Sequence, residues 1–343
     1  MEKLTFIDLF AGIGGFHIAM HRNGVECVFA SEWDKFARQT YESNFRRISP
    51  SLFRKGNFVG DINKVPLSVI PNFDILCGGF PCQPFSIAGL KRGFEDTRGT
   101  LFFRIAQIVK DKCDNGYPPK VLLLENVKGL LHHDKGNTLG TICDVLDDLG
   151  YNVRYKVLNA RYFGVPQNRE RLFIVAWRKE SNVSDFVFPI GLYSDRSPAF
   201  EGNHSSKTLL STKVGDILLD EVDSKYTLSE RLYAGHLRRK EEHKKKGNGF
   251  GFSLFNSESP YTSTISARYY KDGSEILIEQ QNDRPRKLHP IEAARLQGFP
   301  VDGEFSIVVS DTQAYKQFGN SVAVPVVTTL VQEIIKQLID LAV

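Results

Sequence analysis

A chain of 343 residues, 41% of them apolar, has room for one large domain and a smaller one and can bury a core without staples. The charged fraction of 24% and formal net charge of +4 are too moderate to point to or exclude a polyanionic partner, so that argument must come from local clusters. Five cysteines, Cys27, Cys77, Cys82, Cys113 and Cys143, form no CxxC pair and leave an odd one, which favours a reducing compartment over a disulfide framework; no metal site is expected.

The chain opens Met1-Glu2-Lys3-Leu4-Thr5-Phe6-Ile7-Asp8, too acidic and too short in apolar residues for a signal peptide, and no later stretch reads as membrane-spanning. A cytoplasmic protein with no membrane partner is expected. Short apolar runs then alternate with helical patterns: Thr5 to Phe10, Glu26 to Ala30, Phe73 to Cys77, Lys120 to Glu125, Tyr155 to Leu158 and Arg171 to Trp177. This predicts an α/β domain with a mostly parallel sheet and helices on both faces. Several runs end in a carboxylate (Asp8, Glu32, Glu125), and ligands of open α/β sheets gather at the carboxyl ends of strands. Beyond Trp177 the Ser-, Pro- and Gly-rich stretch 182–203 marks a boundary. The expected division is a first domain over 1–185, a second over 186–285, a hinge and connecting segment over 286–310, and a segment over 311–343 that returns to the first domain. Leu228 to Lys246 reads as a helix stopped by Gly247, and Val326 to Ala342 as a helix begun by Pro325.

Asp8-Leu9-Phe10-Ala11-Gly12-Ile13-Gly14-Gly15 follows the first strand and precedes a helix, so its glycines can make a tight turn under a nucleotide-like ligand. The dinucleotide fingerprint needs a third glycine where this chain has His17, so a phosphate-free nucleoside fits better and a Rossmann oxidoreductase is disfavoured. Glu32 can accept bonds from both ribose hydroxyls, Trp33 can stack on a purine, and Asp61 can accept from an exocyclic amine. Separately each has a plainer reading, as a helix cap or a core ring; on successive strand ends they point together to a ligand such as S-adenosyl-L-methionine.

Cys82 sits in Gly78-Gly79-Phe80-Pro81-Cys82-Gln83-Pro84-Phe85-Ser86 and opens a glycine-bearing segment, Gln83 to Gly99, that reads as a mobile loop. A thiol reacts at neutral pH when nearby cations lower its pKa, and Lys91, Arg92 and Arg98 are close in sequence. Glu125-Asn126-Val127 ends an apolar run, where burial can raise a carboxyl's pKa and make it a proton donor. In Gln167-Asn168-Arg169-Glu170-Arg171 the two arginines project to one face if the segment is extended and can hold an anionic or carbonyl-rich ligand. A salt bridge or a solvated charge run stays open for both motifs.

With these residues assembled, the chain resembles the bacterial restriction–modification cytosine-5 DNA methyltransferases. The likeness covers the loop Phe10 to Gly15, Pro81-Cys82, Glu125-Asn126-Val127, Gln167 to Arg171, Arg286 to Pro300 and Gln313 to Pro325. It implies the seven-stranded Rossmann-like methyltransferase fold with a target-recognition domain between the arginine motif and Arg286. The implied chemistry is attack of the Cys82 thiolate on carbon 6 of a cytosine flipped out of duplex DNA. Glu125 protonates or hydrogen-bonds ring nitrogen 3, Arg169 and Arg171 orient the base, and carbon 5 takes a methyl group from S-adenosyl-L-methionine, leaving S-adenosyl-L-homocysteine. By position, the resemblance assigns the cofactor pocket to Phe10, Ala11, Gly12, Gly14, Glu32, Trp33, Asp61 and Ile62, with Pro81, Leu101, Asn320 and Ser321. It assigns Ser86 and Thr264 to the backbone of the flipped nucleotide. It also implies a monomer that protects DNA from a separately encoded restriction endonuclease.

The strongest basic cluster lies in the second region: Arg238, Arg239 and Lys240, then Lys244, Lys245 and Lys246, all suited to phosphate contacts or to a solvated helix face. The following Gly247-Asn248-Gly249-Phe250-Gly251-Phe252 is similar to recognition loops of Dcm-type enzymes, which implies a CC-weak-GG or CC-any-GG site and base contacts from Asn248 and Phe250. Two other readings compete. A transfer-RNA methyltransferase of the same fold would typically carry a Cys-Phe-Thr motif, absent here, and a catalytically inactive DNA-binding regulator would be expected to lose Cys82.

Overall fold

In a computed structural model of the chain, residues 3–340 are described except 82–100, 182, 184–185, 203–205, 248–250 and 282. The chain folds into two compact units, Met1–Leu158 with Glu170–Pro189 and Val327–Val343, and Asn159–Arg169 with Ile190–Val326.

The first unit is built on strands β1 (Thr5–Leu9), β2 (Glu26–Ser31), β3 (Phe58–Val59), β4 (Ile75–Gly79), β5 (Val121–Val127), β6 (Tyr151–Asn159) and β7 (Glu170–Arg178), ordered β3-β2-β1-β4-β5-β7-β6. Neighbours from β3 through β5 are parallel, and β7 runs antiparallel to β5. Phe6, Ile7 and Leu9 are all buried, which is why a parallel strand covered on both faces reads as a continuous apolar run. Helices α1 (Gly15–Arg22), α2 (Lys35–Phe45), α3 (Pro50–Arg54), α4 (Leu101–Asp114) and α5 (Asn137–Asp148) complete the layers. Phe102, Ile105, Ile108 and Val109 of α4 and Leu139, Ile142 and Leu146 of α5 pack on Ile7, Leu76, Leu122 and Ile174. Strand order reverses at β1, between β2 and β4, so the loops leaving β1 and β4 border the crevice where such sheets bind ligands.

His17, which breaks the dinucleotide fingerprint, is a core residue. Its ring stacks on Phe45 (centroids 4.1 Å apart) and bonds Tyr41 Oη at 2.6 Å and Ser49 Oγ at 2.9 Å, tying α1 to α2 and the start of α3. Burial lowers its pKa to about 3, so it is neutral. Gly14 caps α1 with φ 87°, and a β-carbon there would stand 2.1 Å from the Phe45 ring.

The second unit holds the hairpin β8 (Gly191–Leu192) with β9 (Pro198–Ala199) and a small sheet of β10 (Leu254–Phe255), β11 (Leu277–Gln280) and β12 (Asp283–Arg286). Its helices are α6 (Glu230–Lys245), α7 (Pro290–Leu296) and α8 (Asp311–Asn320). α6 is capped by Ser229 Oγ, which accepts from Leu232 N at 3.3 Å, and buries little beyond His236. Arg286 and Glu292 form a buried bidentate pair at 2.7 and 2.9 Å, and Glu292 also accepts from the backbone of Leu219 and His289. Helix α9 (Val324–Asp340) closes the chain.

The boundaries differ from the expected ones. Residues 159–169 and 311–326 belong with the second unit, because Gln167 and Arg169 bond the backbones of Leu296, Ile265, Gly319 and Ser321. Residues 311–340 are also apolar and long enough by composition to cross a membrane, contrary to the reading above. Half of that window is buried, α8 and α9 are separated at 321–323, and Val327, Leu330 and Ile334 of α9 are core residues.

Candidate active site

Where β1 ends, Phe10 adopts φ 58°, a left-handed conformation that costs a non-glycine residue on the order of 1–3 kcal/mol and is typical of ligand loops. The turn is held by Ala11 N donating to Ser31 O at 2.9 Å and Gly12 N to Glu32 Oε2 at 2.8 Å. Glu32 Oε1 accepts from Asp34 N at 2.7 Å, so one buried carboxyl joins the β1 turn to the start of α2. Burial raises its pKa while these backbone donors oppose the shift. Each oxygen keeps a lone pair for a hydroxyl donor. Beside it Trp33 is 83% exposed, which removes the core-ring reading. Asp61 Oδ1 accepts from Asn63 N at 3.0 Å and caps the turn 62–64.

Sequence reasoning missed Arg104. From α4 its Nε donates to Ile62 O at 3.2 Å and its Nη2 to Val65 O, which fixes the loop that carries Asp61 and buried Ile62. The available signal was an arginine interrupting the apolar run Leu101-Phe102-Phe103-Arg104-Ile105-Ala106. Phe10 and Leu101 pack partly buried against the core. Asp8, the other strand-end carboxyl, is wholly buried, and desolvation together with the charge of Glu32 raises its pKa well above the usual range.

Between β4 and β5 the chain places glycines where a side chain has no room. A β-carbon on Gly78 would stand 2.5 Å from Leu9 O, and one on Gly79 would stand 3.1 Å from Glu125 Oε2. Glu125 Oε1 meets Arg171 Nε at 3.1 Å, with side chains only 12% and 19% exposed. Register explains the pairing: Arg171 lies opposite Val127 on the antiparallel neighbour, so Glu125 is its diagonal partner on the same face. Burial lowers the Arg171 pKa and Glu125 opposes that shift. Asn126 donates to Phe80 O at 2.9 Å and accepts from Val127 N at 2.8 Å, fixing the backbone just before exposed Pro81. Cys82, Ser86, Asn248 and Phe250 lie outside the described residues.

The two arginines have different partners within the protein. Arg169 is 2% exposed and donates to Ile265 O at 3.1 Å, Gly319 O at 3.2 Å and Ser321 O at 2.6 Å, within the second unit. Its guanidinium organises backbone where direct contact with the base was expected; Arg171 stands beside Glu125. Gln167 and Gln297 extend the same network, through Leu296 O and Phe318 O. Asn320 is exposed at the end of α8, just after Gly319, where a β-carbon would clash with the Ser266 carbonyl carbon at 2.3 Å. Ser321 Oγ donates to Val322 O, and Thr264 Oγ1 to Asn168 O at 2.6 Å. On α6, Arg239 bonds Asp272 and His236 and Arg238 lies 3.8 Å from Glu242, whereas Lys244, Lys245 and Lys246 are exposed at the helix end.

A seven-stranded sheet that is parallel except for its antiparallel β7 defines a Rossmann-like S-adenosyl-L-methionine-dependent methyltransferase fold. Exposed Trp33, the buried carboxyl of Glu32 and the open turn at Gly12 fit an adenosine without phosphate. The family model for C-5 cytosine-specific DNA methylase matches residues 4–336, and the chain belongs to that family. It is 55% identical to Type II methyltransferase M.SsoII of Shigella sonnei, over 98% of this chain and 81% of that one. It is 52% identical to Type II methyltransferase M1.ScrFI of Lactococcus lactis subsp. cremoris, over 98% and 79%. The solved Dnmt2 methyltransferase of S. pombe superposes with a TM-score of 0.72 over 98% of this chain and 99% of that one at 20% identity, a likeness of fold. The chain is thus a DNA (cytosine-5)-methyltransferase of the restriction–modification type.

Proposed function

We propose that methylation proceeds through a covalent adduct between Cys82 and the target cytosine, with Glu125 as its electrostatic partner. The observation that carries this reading is the position of Glu125. Oε1 lies against Arg171 and Oε2 lies over Gly79, on the strand that leads three residues later to Cys82. A cytosine flipped into this corner meets the thiolate at carbon 6 and the Glu125 carboxyl at nitrogen 3, where the displaced charge collects. Carbon 5 becomes nucleophilic, and loss of its proton with expulsion of Cys82 restores the ring. S-adenosyl-L-methionine, when bound, supplies an electrophilic methyl group. Glu32 receives its ribose hydroxyls, Trp33 covers its purine and Asp61 accepts from the exocyclic amine, with Asn320 and Ser321 assigned to the same pocket by family position. Arg171 steadies Glu125, and Arg169 is a positioning residue that ties together the segments bearing Thr264 and Asn320.

The modified site is of the CC-weak-GG or CC-any-GG type, a reading supported by the likeness of 247–252 to Dcm-type recognition loops. Lys244 to Lys246, with Arg238 and Arg239 behind them, supply phosphate contacts. The enzyme acts as a monomer in the bacterial cytoplasm beside a separately encoded endonuclease of the same specificity. Transfer of labelled methyl to duplex DNA by wild type and Cys82→Ser tests the core of this reading. Incorporation that survives the substitution, or that appears in transfer RNA and not in DNA, overturns it. A trapped complex with 5-fluorocytosine duplex is the expected positive result, and bisulfite sequencing reads the site.

A further inference from the structure

The second unit carries an arginine that the chemistry above does not use. Arg161 lies in the turn Ala160–Tyr162, and its guanidinium carbon is 4.6 Å from the centroid of the Tyr162 ring and 4.8 Å from that of Tyr261. It also donates through Nη2 to the Tyr162 hydroxyl. Both rings are 38% exposed, and no described carboxylate forms an ion pair with Arg161. Two aromatic rings packed against a guanidinium limit the rotamer freedom it would lose on binding. Its Nε is buried, and with no ion-paired carboxylate among the described residues the partly exposed cation can turn its remaining Nη donors to a phosphate.

Its place in the chain says which phosphate. The segments that bear Arg161 and Tyr261 are joined by a bridge between Gln167 and Thr262, by Asn168 N donating to Thr262 O at 2.9 Å, and by Thr264 Oγ1 donating to Asn168 O at 2.6 Å. Tyr261 therefore lies within three residues of Thr264, at most about 11 Å of extended chain. One DNA strand presents a phosphate every 3.4 Å or so of helix axis and winds as it rises, so that reach corresponds to at most about three phosphates.

We propose that Arg161, clamped by Tyr162 and Tyr261, docks a backbone phosphate of duplex DNA flanking the target nucleotide, within about three phosphates of the one met by Thr264. This rests on the reading of Thr264 as a contact to the flipped nucleotide. The competing role is a staple between the two segments, which would move stability and leave the salt dependence of DNA binding alone.

The experiment is equilibrium binding of wild type and Arg161→Gln to a target duplex between about 50 and 200 mM salt, the range over which phosphate contacts dominate. The plot of log K against log salt is expected to become shallower by about 0.9 in the variant, the value for one phosphate. A scan of duplexes carrying one uncharged methylphosphonate at successive flanking positions should find a position that weakens wild type and leaves Arg161→Gln unaffected. Arg161→Lys, which keeps the charge, should retain the slope. Should Arg161→Gln melt early, Tyr261→Leu removes one jaw and is expected to weaken DNA binding about threefold at unchanged slope. Equal slopes for wild type and Arg161→Gln, no methylphosphonate position whose effect depends on Arg161, or full affinity in Tyr261→Leu each overturn the proposal. If these fail while Cys82-dependent methylation of DNA persists, only this inference falls; if wild type neither binds nor methylates duplex DNA, the functional reading falls with it.

Discussion

Two buried glutamates, one in each unit, are handled in opposite ways. Glu292 is saturated: both oxygens meet Arg286, and the backbone N–H groups of Leu219 and His289 use the remaining capacity. Glu32 accepts from the N–H groups of Gly12 and Asp34, forms no salt bridge among the described residues, and has an exposed tryptophan next to it. Burial alone therefore does not mark a functional carboxylate. What sets Glu32 apart from Glu292 is bonding capacity left over after the protein has been served.

The comparison breaks most sharply at the saturated end. Arg286→Ala leaves Glu292 buried and unpaired and is expected to cost about 3–5 kcal/mol in denaturant unfolding, whereas replacing both partners by apolar residues of similar volume should recover most of that. A loss below about 1 kcal/mol would mean that the pair is not buried in solution. At the unsaturated end, Glu32→Gln sets an amide donor against one of the two backbone N–H groups and should cost about 1–3 kcal/mol of stability, while weakening S-adenosyl-L-methionine binding by about 10- to 100-fold in calorimetry, as for hydrogen bonds to a charged group.

The pH dependence follows from the same carboxyl. Because burial raises the Glu32 pKa, folding takes up a proton there; its contribution to stability is fully present below the ordinary value near 4.5 and is lost as pH rises through the raised value. The ligand's hydroxyl donors favour the ionised form, so affinity should rise with pH over that range in wild type and not in Glu32→Gln. Asp8 is shifted in the same direction, partly by the charge of Glu32 itself, so the difference between the two proteins reports Glu32 together with its coupling to Asp8.

Trp33→Ala, at an exposed position, should leave the melting temperature unchanged and lower cofactor affinity by about 1–3 kcal/mol, the range for base–aromatic stacking. The smallest effect is expected for Arg104→Ala, about fivefold in the KM for S-adenosyl-L-methionine at constant kcat, with partial rescue by lysine. An equal fall in kcat would mean that Arg104 does more than hold the loop at Ile62 and Val65.

Much of the first unit was legible in the sequence, for a physical reason. Strands covered on both faces read as unbroken apolar runs, so β1, β2, β4, β5 and β7 could be picked out, with Glu32, Trp33 and Glu125 at or just past their ends. His17 was readable as a failed fingerprint but not as a packed partner of Phe45, because that contact joins separate helices. Arg169 and Arg171 looked equivalent, since alternation is all a local pattern records. The partners of Arg169 lie far along the chain, at Ile265, Gly319 and Ser321, and they draw 159–169 into the second unit. Arg104 was invisible for the complementary reason: a helical arginine usually reads as solvated, and its acceptors are backbone carbonyls that carry no sequence signal.

The central claim is that Glu125 acts on the cytosine ring and not on the cofactor. Single-turnover methyl transfer by Glu125→Gln, with S-adenosyl-L-methionine binding titrated in parallel, tests it most directly. The account predicts a methylation rate lowered by at least about 100-fold, the usual scale for losing a positioned proton donor, with cofactor affinity within about twofold of wild type. Equal losses in both measurements would contradict it.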